Sequence, residues 1–352
     1  MTISNQECGR TVFYRDWHPS VVEKIDGEYH IVKDGILSKR DYTLLFNSGD
    51  EKHHIPVQTT DQLNCYNEVT ITGAVFRTLT QENIRLGIYD GVGNLLGYYT
   101  PEGYQKDTEA ILAQCLEYSN TEKRLSMGKL LEISAIHNIR ANVRYYIKQG
   151  RPLEETEQLL TDGMSSVKKS SSMDEILLQE ARCRQAYYRA FNSILENEAF
   201  YFEKRSKMPP KDAINALISF GNTILYNKIQ QMIWKTSLDS RIGVLHAANR
   251  RHYSLNLDFA DLFKPLIVDR VIFKLVNLRQ LTKEDFIKRN DGSVYLTSEG
   301  KKLFIRSIEE KMTDRIMLNG EYYTYRQLME QEIRSYQRYL LDGAKYRPYK
   351  YY

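Results

Sequence analysis

The spacing of hydrophobic residues changes near Pro101 of this 352-residue chain, and this change limits the possible folds more than any other feature. Between Tyr29 and Tyr99, short β-type runs such as 42–46 and 84–89 alternate with turn residues. After Pro101 the apolar residues recur with the 3.6-residue period of an α-helix. We therefore expect an α+β protein, in which an N-terminal β domain precedes a larger all-α domain.

The breaks in these patterns suggest four segments. We place an extension of undefined role at residues 1–28, a β domain at 29–103, a helical domain at 104–330 and a basic, tyrosine-rich tail at 331–352. Val92-Gly93-Asn94 is typical of a hairpin turn. The tail is compatible with two hypotheses, a partly disordered end or a segment that contacts a phosphate backbone.

Periodicity and breakers also place individual helices in the second domain. We expect helices from Asp174 to about Ala199, from Lys211 to Trp234 and from Ser254 to about Leu278. Loops are predicted at 162–166 and 170–172, where Gly and Ser cluster.

Composition limits the cellular context of the chain. No apolar run approaches the roughly 20 residues needed to cross a bilayer, and the N-terminus does not have the pattern of a signal peptide. We therefore expect a cytoplasmic protein that does not enter a membrane. The net charge of +4 permits binding to nucleic acid but does not by itself indicate it.

Four residues stand where an ordinary core has no need of an acid or an imidazole. Glu180 follows two leucines on a predicted helix, and His246 follows Gly243-Val244-Leu245. Asp258 and Asp261 are three residues apart among apolar residues, so both carboxylates can face one point. Each has an ordinary alternative: a solvated glutamate, a core histidine, or acids in the first turn of a helix.

Together, two carboxylates and one imidazole suit Mg²⁺ or Mn²⁺ better than a closed structural Zn²⁺ site. Such a metal can act as a Lewis acid on a scissile phosphate. Residues that can contact a DNA backbone lie in the same segments. The candidates are Arg184, Tyr187, Arg205, Arg241, Arg250 and Lys264.

The order of these segments resembles the CRISPR-associated spacer-acquisition integrase, the first of the core CRISPR-associated proteins. The matching features are Glu180 followed by Tyr187-Tyr188, the run Gly243-Val244-Leu245-His246, and Asp258-Phe259-Ala260-Asp261-Leu262-Phe263-Lys264-Pro265 with Asp269-Arg270. The basic stretch 204–217 with its Pro209-Pro210 break is also similar. The resemblance extends from about Tyr29 to about Leu281.

This resemblance implies metal ligation by Glu180, His246 and Asp261, with Asp258 as a neighbouring acid in the catalytic site. It also implies a prokaryotic enzyme that binds double-stranded DNA, both the captured prespacer and the CRISPR repeat. The β domains would form a homodimer, which would assemble with a small ferredoxin-like partner, the second core CRISPR-associated protein. In the implied reaction, a 3′-hydroxyl of captured DNA attacks a phosphodiester at a repeat boundary.

Two departures and two alternatives accompany this interpretation. The residues before Tyr29 have no evident family counterpart, and Lys264 stands where Arg is common, which keeps the charge but loses the fork geometry. A structure-selective DNA nuclease would use the same metal site with water as its nucleophile. A DNA-binding scaffold without catalysis would have no need of Glu180, His246 and Asp261 together.

Overall fold

The computed structural model describes residues 22–25, 28–66, 68–89, 95–101, 107–246 and 253–351. The chain divides into two compact units, Met1–Gln105 and Lys106–Tyr352. The predicted turn 92–94, residue Arg250 and most of the 1–28 extension lie outside the described residues. The fold-class prediction is confirmed, because a unit built on β-sheets precedes a larger unit that is mainly helical.

Two sheets form the described part of the N-terminal unit. The strands are β1 (Val22–Ile25), β2 (Glu28–Ile31), β3 (Gly35–Arg40), β4 (Thr43–Ser48), β5 (Glu51–Pro56), β6 (Gln62–Cys65), β7 (Val69–Ile71), β8 (Arg85–Tyr89) and β9 (Leu95–Tyr99). One sheet has the order β1-β2-β6-β8-β9 and the other β5-β4-β3-β7. The pairs β2–β6, β6–β8 and β3–β7 are parallel, and the remaining pairs are antiparallel.

The core of this unit is formed by buried residues of its strands and of one helix. Ile31, Leu37 and Phe46 are fully buried, and they pack with Val75 and Leu79 from α1 (Gly73–Gln81). The predicted β pattern missed α1, whose buried Val75 and Leu79 are four residues apart on one face.

The predicted start of the β domain at residue 29 is corrected by β1. Val22–Ile25 pairs antiparallel with Glu28–Ile31, so the sheet begins inside the segment assigned to the extension. Asp26-Gly27, between the two strands in sequence, is a common two-residue hairpin signal. Four-residue strands carry too little alternation to be recognised from periodicity alone.

Ten helices and two hairpins make up the described part of the larger unit. The helices are α2 (Thr108–Ser119), α3 (Thr121–Lys148), α4 (Glu154–Lys169), α5 (Met173–Arg189), α6 (Phe191–Ile194), α7 (Ala213–Trp234), α8 (Leu255–Phe263), α9 (Arg270–Asn277), α10 (Ser298–Thr313) and α11 (Tyr325–Asp342). A π-helical turn, Pro265–Asp269, joins α8 to α9. The long helix α3 packs against α4, α5 and α8. None of the described helices is long and apolar enough to cross a membrane.

The hairpins pair β10 (Phe286–Lys288) with β11 (Val294–Leu296), and β12 (Arg315–Leu318) with β13 (Glu321–Thr324). The sequence analysis did not predict them. In the second hairpin, Asn319 and Gly320 both have positive φ, the backbone of a type I′ turn. The dipeptide Asn-Gly was therefore a usable signal that the helical interpretation passed over.

Two predicted helix boundaries are wrong. The loop predicted at 162–166 is the middle of α4, where Gly163 permits close packing: a Cβ there would lie 2.2 Å from Cys183 Sγ on α5. Helix α5 ends at Arg189 rather than near Ala199. The chain turns there, and the Asn192 side chain bonds both the backbone N–H and the carbonyl of Phe202.

The tail is ordered and packed, which contradicts the partly disordered alternative. Its first half belongs to α11, and Gly343 ends that helix with a left-handed φ of 64°. Buried Tyr346 and Tyr349 then donate to the buried carboxylate of Glu332, through a hydroxyl and a backbone N–H respectively. These bonds, together with ring contacts of Tyr346 with Tyr336 and of Tyr349 with Phe263, hold the segment against the helical unit.

Candidate metal centre

The helix α5 positions Glu180. Ser172 caps this helix by accepting from the Glu175 N–H, and Ile176, Cys183 and Tyr187 form its buried face. Glu180 lies at the edge of that face with a side chain 16% exposed. Its Oε1 accepts from Arg184 Nε, one turn later, at 2.8 Å. The carboxylate is therefore held by its own helix near the interior.

The loop before α8 positions His246. Gln114 on α2 anchors it, accepting from the Asp239 N–H at 2.7 Å and donating to the carbonyls of Asp239 and Ile242. Arg124 on α3 donates to the Val244 carbonyl at 2.8 Å. The backbone around His246 is thereby tied to the two helices that pack against it.

The buried carboxylate of Asp258, in the first turn of α8, holds this loop in place. It accepts from the backbone N–H groups of Val244 (2.5 Å), Leu245 (3.3 Å) and His246 (3.0 Å). Gly243 makes room for it, because a Cβ at that position would lie 2.8 Å from Asp258 Oδ2. The three bonds fix the carboxylate against the loop backbone.

The same carboxylate orients the imidazole of His246. Asp258 Oδ1 lies 2.7 Å from His246 Nδ1, so Nδ1 carries the proton and Nε2 keeps its lone pair. Burial lowers the pKa of His246, but the hydrogen bond and charge of Asp258 more than compensate and raise it above 6.5. Asp258 therefore touches the ring nitrogen opposite the one that can bind a metal.

Asp261 lies one turn further along α8 and is 1% exposed. Its Oδ1 contacts Arg184 Nη2 at 2.7 Å and Lys264 Nζ at 2.5 Å. Burial alone would raise the pKa of Asp261, but these two cations lower it well below the ordinary range. The carboxylate is thus ionised and charge-compensated.

Glu180, His246 and Asp261 come together from three separate elements. Each offers one ligand atom, and the three atoms lie within 4.8 Å of one another. Two carboxylates and an imidazole fit a hard divalent cation such as Mg²⁺ or Mn²⁺. Arg184 bridges the two carboxylates, which are the groups that a divalent cation would otherwise compensate.

A fourth acid at this centre was missed by the sequence analysis. Glu132 on α3 is 1% exposed, and its Oε2 has no hydrogen-bond partner among the described residues. Burial, then the negative charge of Glu180, raises its pKa well above 4.5, although Arg184 opposes this. An acid beside Leu131 and Ala135 in the apolar stripe of α3 was the available signal.

Tyr187 is buried, so its side chain is not available to DNA, contrary to prediction. It is 2% exposed, and its hydroxyl accepts from Asn142 Nδ2 at 3.2 Å. Asn142 also accepts from Arg270 Nε at 2.7 Å, which ties α3 to the start of α9. Burial raises the pKa of the neighbouring Asp269 to about 7. Tyr187 therefore belongs to the packing behind the centre.

The remaining predicted DNA contacts have different environments. Arg184 and Lys264 point into the centre as ion-pair partners of Asp261, and Lys264 is 9% exposed. Arg205 donates to Asn215 Oδ1 at 2.8 Å and to Ser219 Oγ at 2.9 Å, so it holds the chain before α7. Arg241 is exposed but forms a bidentate pair with Asp239.

The chain matches the family model described as CRISPR associated protein Cas1 over residues 29–310. It is 36% identical over 322 residues to "CRISPR-associated endonuclease Cas1 2" of Thermodesulfovibrio yellowstonii, covering 91% of this chain and 97% of that protein. It is 32% identical to "CRISPR-associated endonuclease Cas1" of Clostridium perfringens, covering 92% and 98% of the two chains.

Solved structures show the same fold. A Cas1 protein from Thermotoga maritima superposes with a TM-score of 0.74 at 29% identity, covering 92% of this chain and 100% of that one. A casposase bound to integration product gives 0.64 at 19% identity, covering 92% and 99%. A Cas6-RT-Cas1–Cas2 complex gives 0.71 at 20% identity, covering 89% of this chain and 35% of that one.

Proposed function

The chain belongs to the CRISPR-associated Cas1 family, and we propose on that basis that it is a metal-dependent DNA endonuclease and integrase of CRISPR immunity. The convergence of Glu180, His246 and Asp261 within 4.8 Å carries the proposal. The reaction is transesterification: the 3′-hydroxyl of captured DNA attacks a phosphodiester at a repeat boundary. The bond to the repeat's leaving 3′-oxygen breaks as the new bond forms.

Glu180, His246 through Nε2, and Asp261 would hold Mg²⁺ or Mn²⁺. When bound, such a cation polarises the scissile phosphate and orients the attacking hydroxyl. Asp258 is a positioning residue, because it touches the imidazole and the loop backbone rather than the three-ligand cluster. Its bond to Nδ1 keeps Nε2 free to ligate.

Two cations of the chain complement a phosphate at this centre. Arg184 and Lys264 lie at 2.7 Å and 2.5 Å from Asp261. Burial opposes their charge, yet Asp261 raises the pKa of both, so both remain protonated. Both cations are held in place by their ion pairs with Asp261, and a phosphodiester at the cluster would share them with that carboxylate.

The partners follow from the family and its relatives. The substrates are double-stranded DNA, both a prespacer and the CRISPR repeat. This agrees with two proteins of similar fold, a casposase bound to integration product and a Cas6-RT-Cas1–Cas2 complex. We expect a homodimer formed through the β domains. We also expect a larger assembly with the small ferredoxin-like second core protein, in the prokaryotic cytoplasm.

A joining assay tests this function. A labelled duplex with free 3′-hydroxyls is incubated with a repeat-containing plasmid, the partner protein and Mn²⁺. We expect labelled plasmid with the parent chain, none with His246→Ala, and normal joining with His54→Ala on the exposed edge of β5. Duplex binding should persist in His246→Ala, because that ring is directed at the cluster.

The alternatives predict other products. A nuclease would hydrolyse the DNA without attaching label to the plasmid, even with the partner present. A scaffold would bind DNA without either product. Joining by His246→Ala at the parent rate would remove this centre from the mechanism.

A further inference from the structure

A cleft lined by cations lies in the helical unit, away from the metal centre. This cleft, of about 1030 Å³, opens between the C-terminal half of α3 and α9. Arg140, Arg144 and Lys148 form one side, and Arg270 and Lys274 form the other. The cations on each helix are four residues apart, which spaces them by roughly 6 Å along the axis.

The charge of this cleft is poorly compensated. Glu157 pairs with Arg140 at 2.6 Å and with Arg144 at 3.9 Å, and the two other cations of the lining, Arg151 and Lys311, pair with Glu196 and Asp314. Among the residues that the structure describes, no carboxylate lies within ion-pair distance of Lys148, Arg270 or Lys274. The Arg270 guanidinium does donate to Asn142 and Tyr325, so Lys148 and Lys274 are the cations most available to a ligand. Lys148 and Lys274 are both exposed. The cleft therefore retains excess positive charge that its own carboxylates do not neutralise.

Aromatic rings lie between the two rows of cations. Tyr146 on α3 packs edge to face against Phe273 on α9, with their ring centroids 5.5 Å apart. The ring centroid of Tyr145 lies 5.1 Å from that of Tyr146. Tyr145 is 54% exposed, which leaves much of its ring available to a ligand. A positive groove with exposed aromatic rings is the arrangement by which proteins bind single-stranded nucleic acid, since phosphates contact the cations and bases stack on the rings.

The cleft is distinct from the metal centre. Glu132 marks the point of α3 that faces the centre, and the cationic row of α3 begins about 12 Å and ends about 24 Å further along the axis. Arg144 is 59% exposed, whereas the ligands of the centre face inward. A strand in the cleft would thus lie outside the reaction site.

We infer that this cleft binds a single-stranded segment of DNA. The inference rests on the proposed function for the choice of DNA, but it does not depend on the chemistry of the centre. Evenly spaced cations match a phosphodiester strand. An acidic peptide would match the charge yet would leave the exposed ring of Tyr145 without a base to stack on.

Binding is measured in EDTA, so that failure of catalysis and failure of the cleft are distinguishable. A labelled oligothymidine is titrated into the parent chain and into Lys148→Glu/Lys274→Glu. The matched control is Lys168→Glu/Lys169→Glu, which makes the same change in charge at exposed positions on α4. We expect the cleft variant to bind about ten-fold more weakly, with a salt slope smaller by about 1.4 for two lost phosphate contacts.

A second readout locates the strand. In an oligonucleotide that carries 5-iodouracil, irradiation should give adducts at Tyr145 or Tyr146, and Tyr145→Ala should remove those at the first position. Parent-like affinity of the cleft variant, an equal loss in the control, or adducts confined to other segments would overturn the inference. Competition by polyglutamate at the same concentration of charge would overturn it in favour of an acidic peptide.

Discussion

At the scale of single residues, the centre depends on groups that never reach the ligand cluster. The carboxylate of Asp258 accepts hydrogen bonds from three backbone N–H groups and from Nδ1 of His246. The position of the imidazole is therefore set by a buried acid whose own bonds are all internal. Loss of a residue that orients a metal-binding histidine typically lowers metal affinity or activity by about 10- to 100-fold.

Asp258→Asn tests this role. The amide can accept through only one oxygen, so the loop loses backbone bonds and Nδ1 loses its charged partner. We expect Mn²⁺ affinity and joining rate to fall about 10- to 100-fold, with duplex binding retained. Asp162→Asn, an exposed amide substitution on α4, should change neither quantity. Parent-like Mn²⁺ affinity in Asp258→Asn would contradict the assignment.

Glu132→Gln tests the state of the fourth acid. Burial raises the pKa of Glu132 well above 4.5, and glutamine preserves the shape and the neutrality of the protonated carboxyl. We expect thermal unfolding in EDTA at pH 7 to match the parent. As pH rises, the parent should lose stability through ionisation of Glu132, and the variant should lose less. A variant much less stable than the parent at pH 7 would show that the charged form is needed.

At the scale of elements, close packing of α4 on α5 brings Glu180 into position. A Cβ on Gly163 would lie 2.2 Å from Cys183 Sγ, three residues beyond Glu180 on the same helix. If position 163 carried a side chain, α4 and α5 would have to move apart. Glu180, the metal ligand on α5, would then be displaced as well.

Gly163→Ala should therefore destabilise the chain by about 1–3 kcal/mol. In an open helix the same substitution would stabilise by about 1 kcal/mol, so the sign is informative. Cys183→Ala removes the clashing sulfur, and the double variant should recover much of the loss. Denaturant unfolding of the two single variants and the double variant measures this coupling. Equal stability of Gly163→Ala and the parent would contradict the packing.

The C-terminal segment is a second element with a testable anchor. Burial raises the pKa of Glu332 to about 7 from 4.5, although bonds from Tyr346 and Tyr349 favour its charged form. The fold therefore binds this proton more tightly than the unfolded chain. Stability from this group is present below pH 4.5 and is lost as pH rises through about 7, by on the order of 3 kcal/mol.

Limited proteolysis of the C-terminal segment at pH 6 and pH 8.5 measures this effect. Cleavage of the parent should accelerate at the higher pH. Glu332→Gln cannot ionise, and its cleavage should depend less on pH. Equal acceleration in both chains would place the pH dependence elsewhere.

At the scale of the whole molecule, the sequence predicted the order of the two units and the convergence of Glu180, His246 and Asp261. These follow from periodicity and from the family resemblance. Contacts that depend on three-dimensional packing could not be predicted from the sequence. Tyr187 and the tail residues Tyr336, Tyr346 and Tyr349 are buried, although their sequence positions suggested that they were available to DNA. A tyrosine has both an apolar ring and a polar hydroxyl, so the sequence alone does not show whether it is buried.

Some missed features had usable local signals and others had none. Asn319-Gly320 marked a hairpin inside a region read as helical, and Glu132 stood in an apolar stripe. The pairing of Arg184 with Asp261 had no such signal, since the two residues are 77 positions apart in the sequence. Only the folded arrangement of α5 and α8 reveals it.

The central claim is that one divalent cation binds Glu180, His246 and Asp261 together. Titration of the metal-free protein with Mn²⁺, followed by electron paramagnetic resonance, tests it most directly. We predict one tight site per chain in the parent and in the control Glu175→Gln, on the exposed N-terminal turn of α5. Glu180→Gln, His246→Ala and Asp261→Asn should each lose that site. Undiminished Mn²⁺ binding in all three variants would contradict the account.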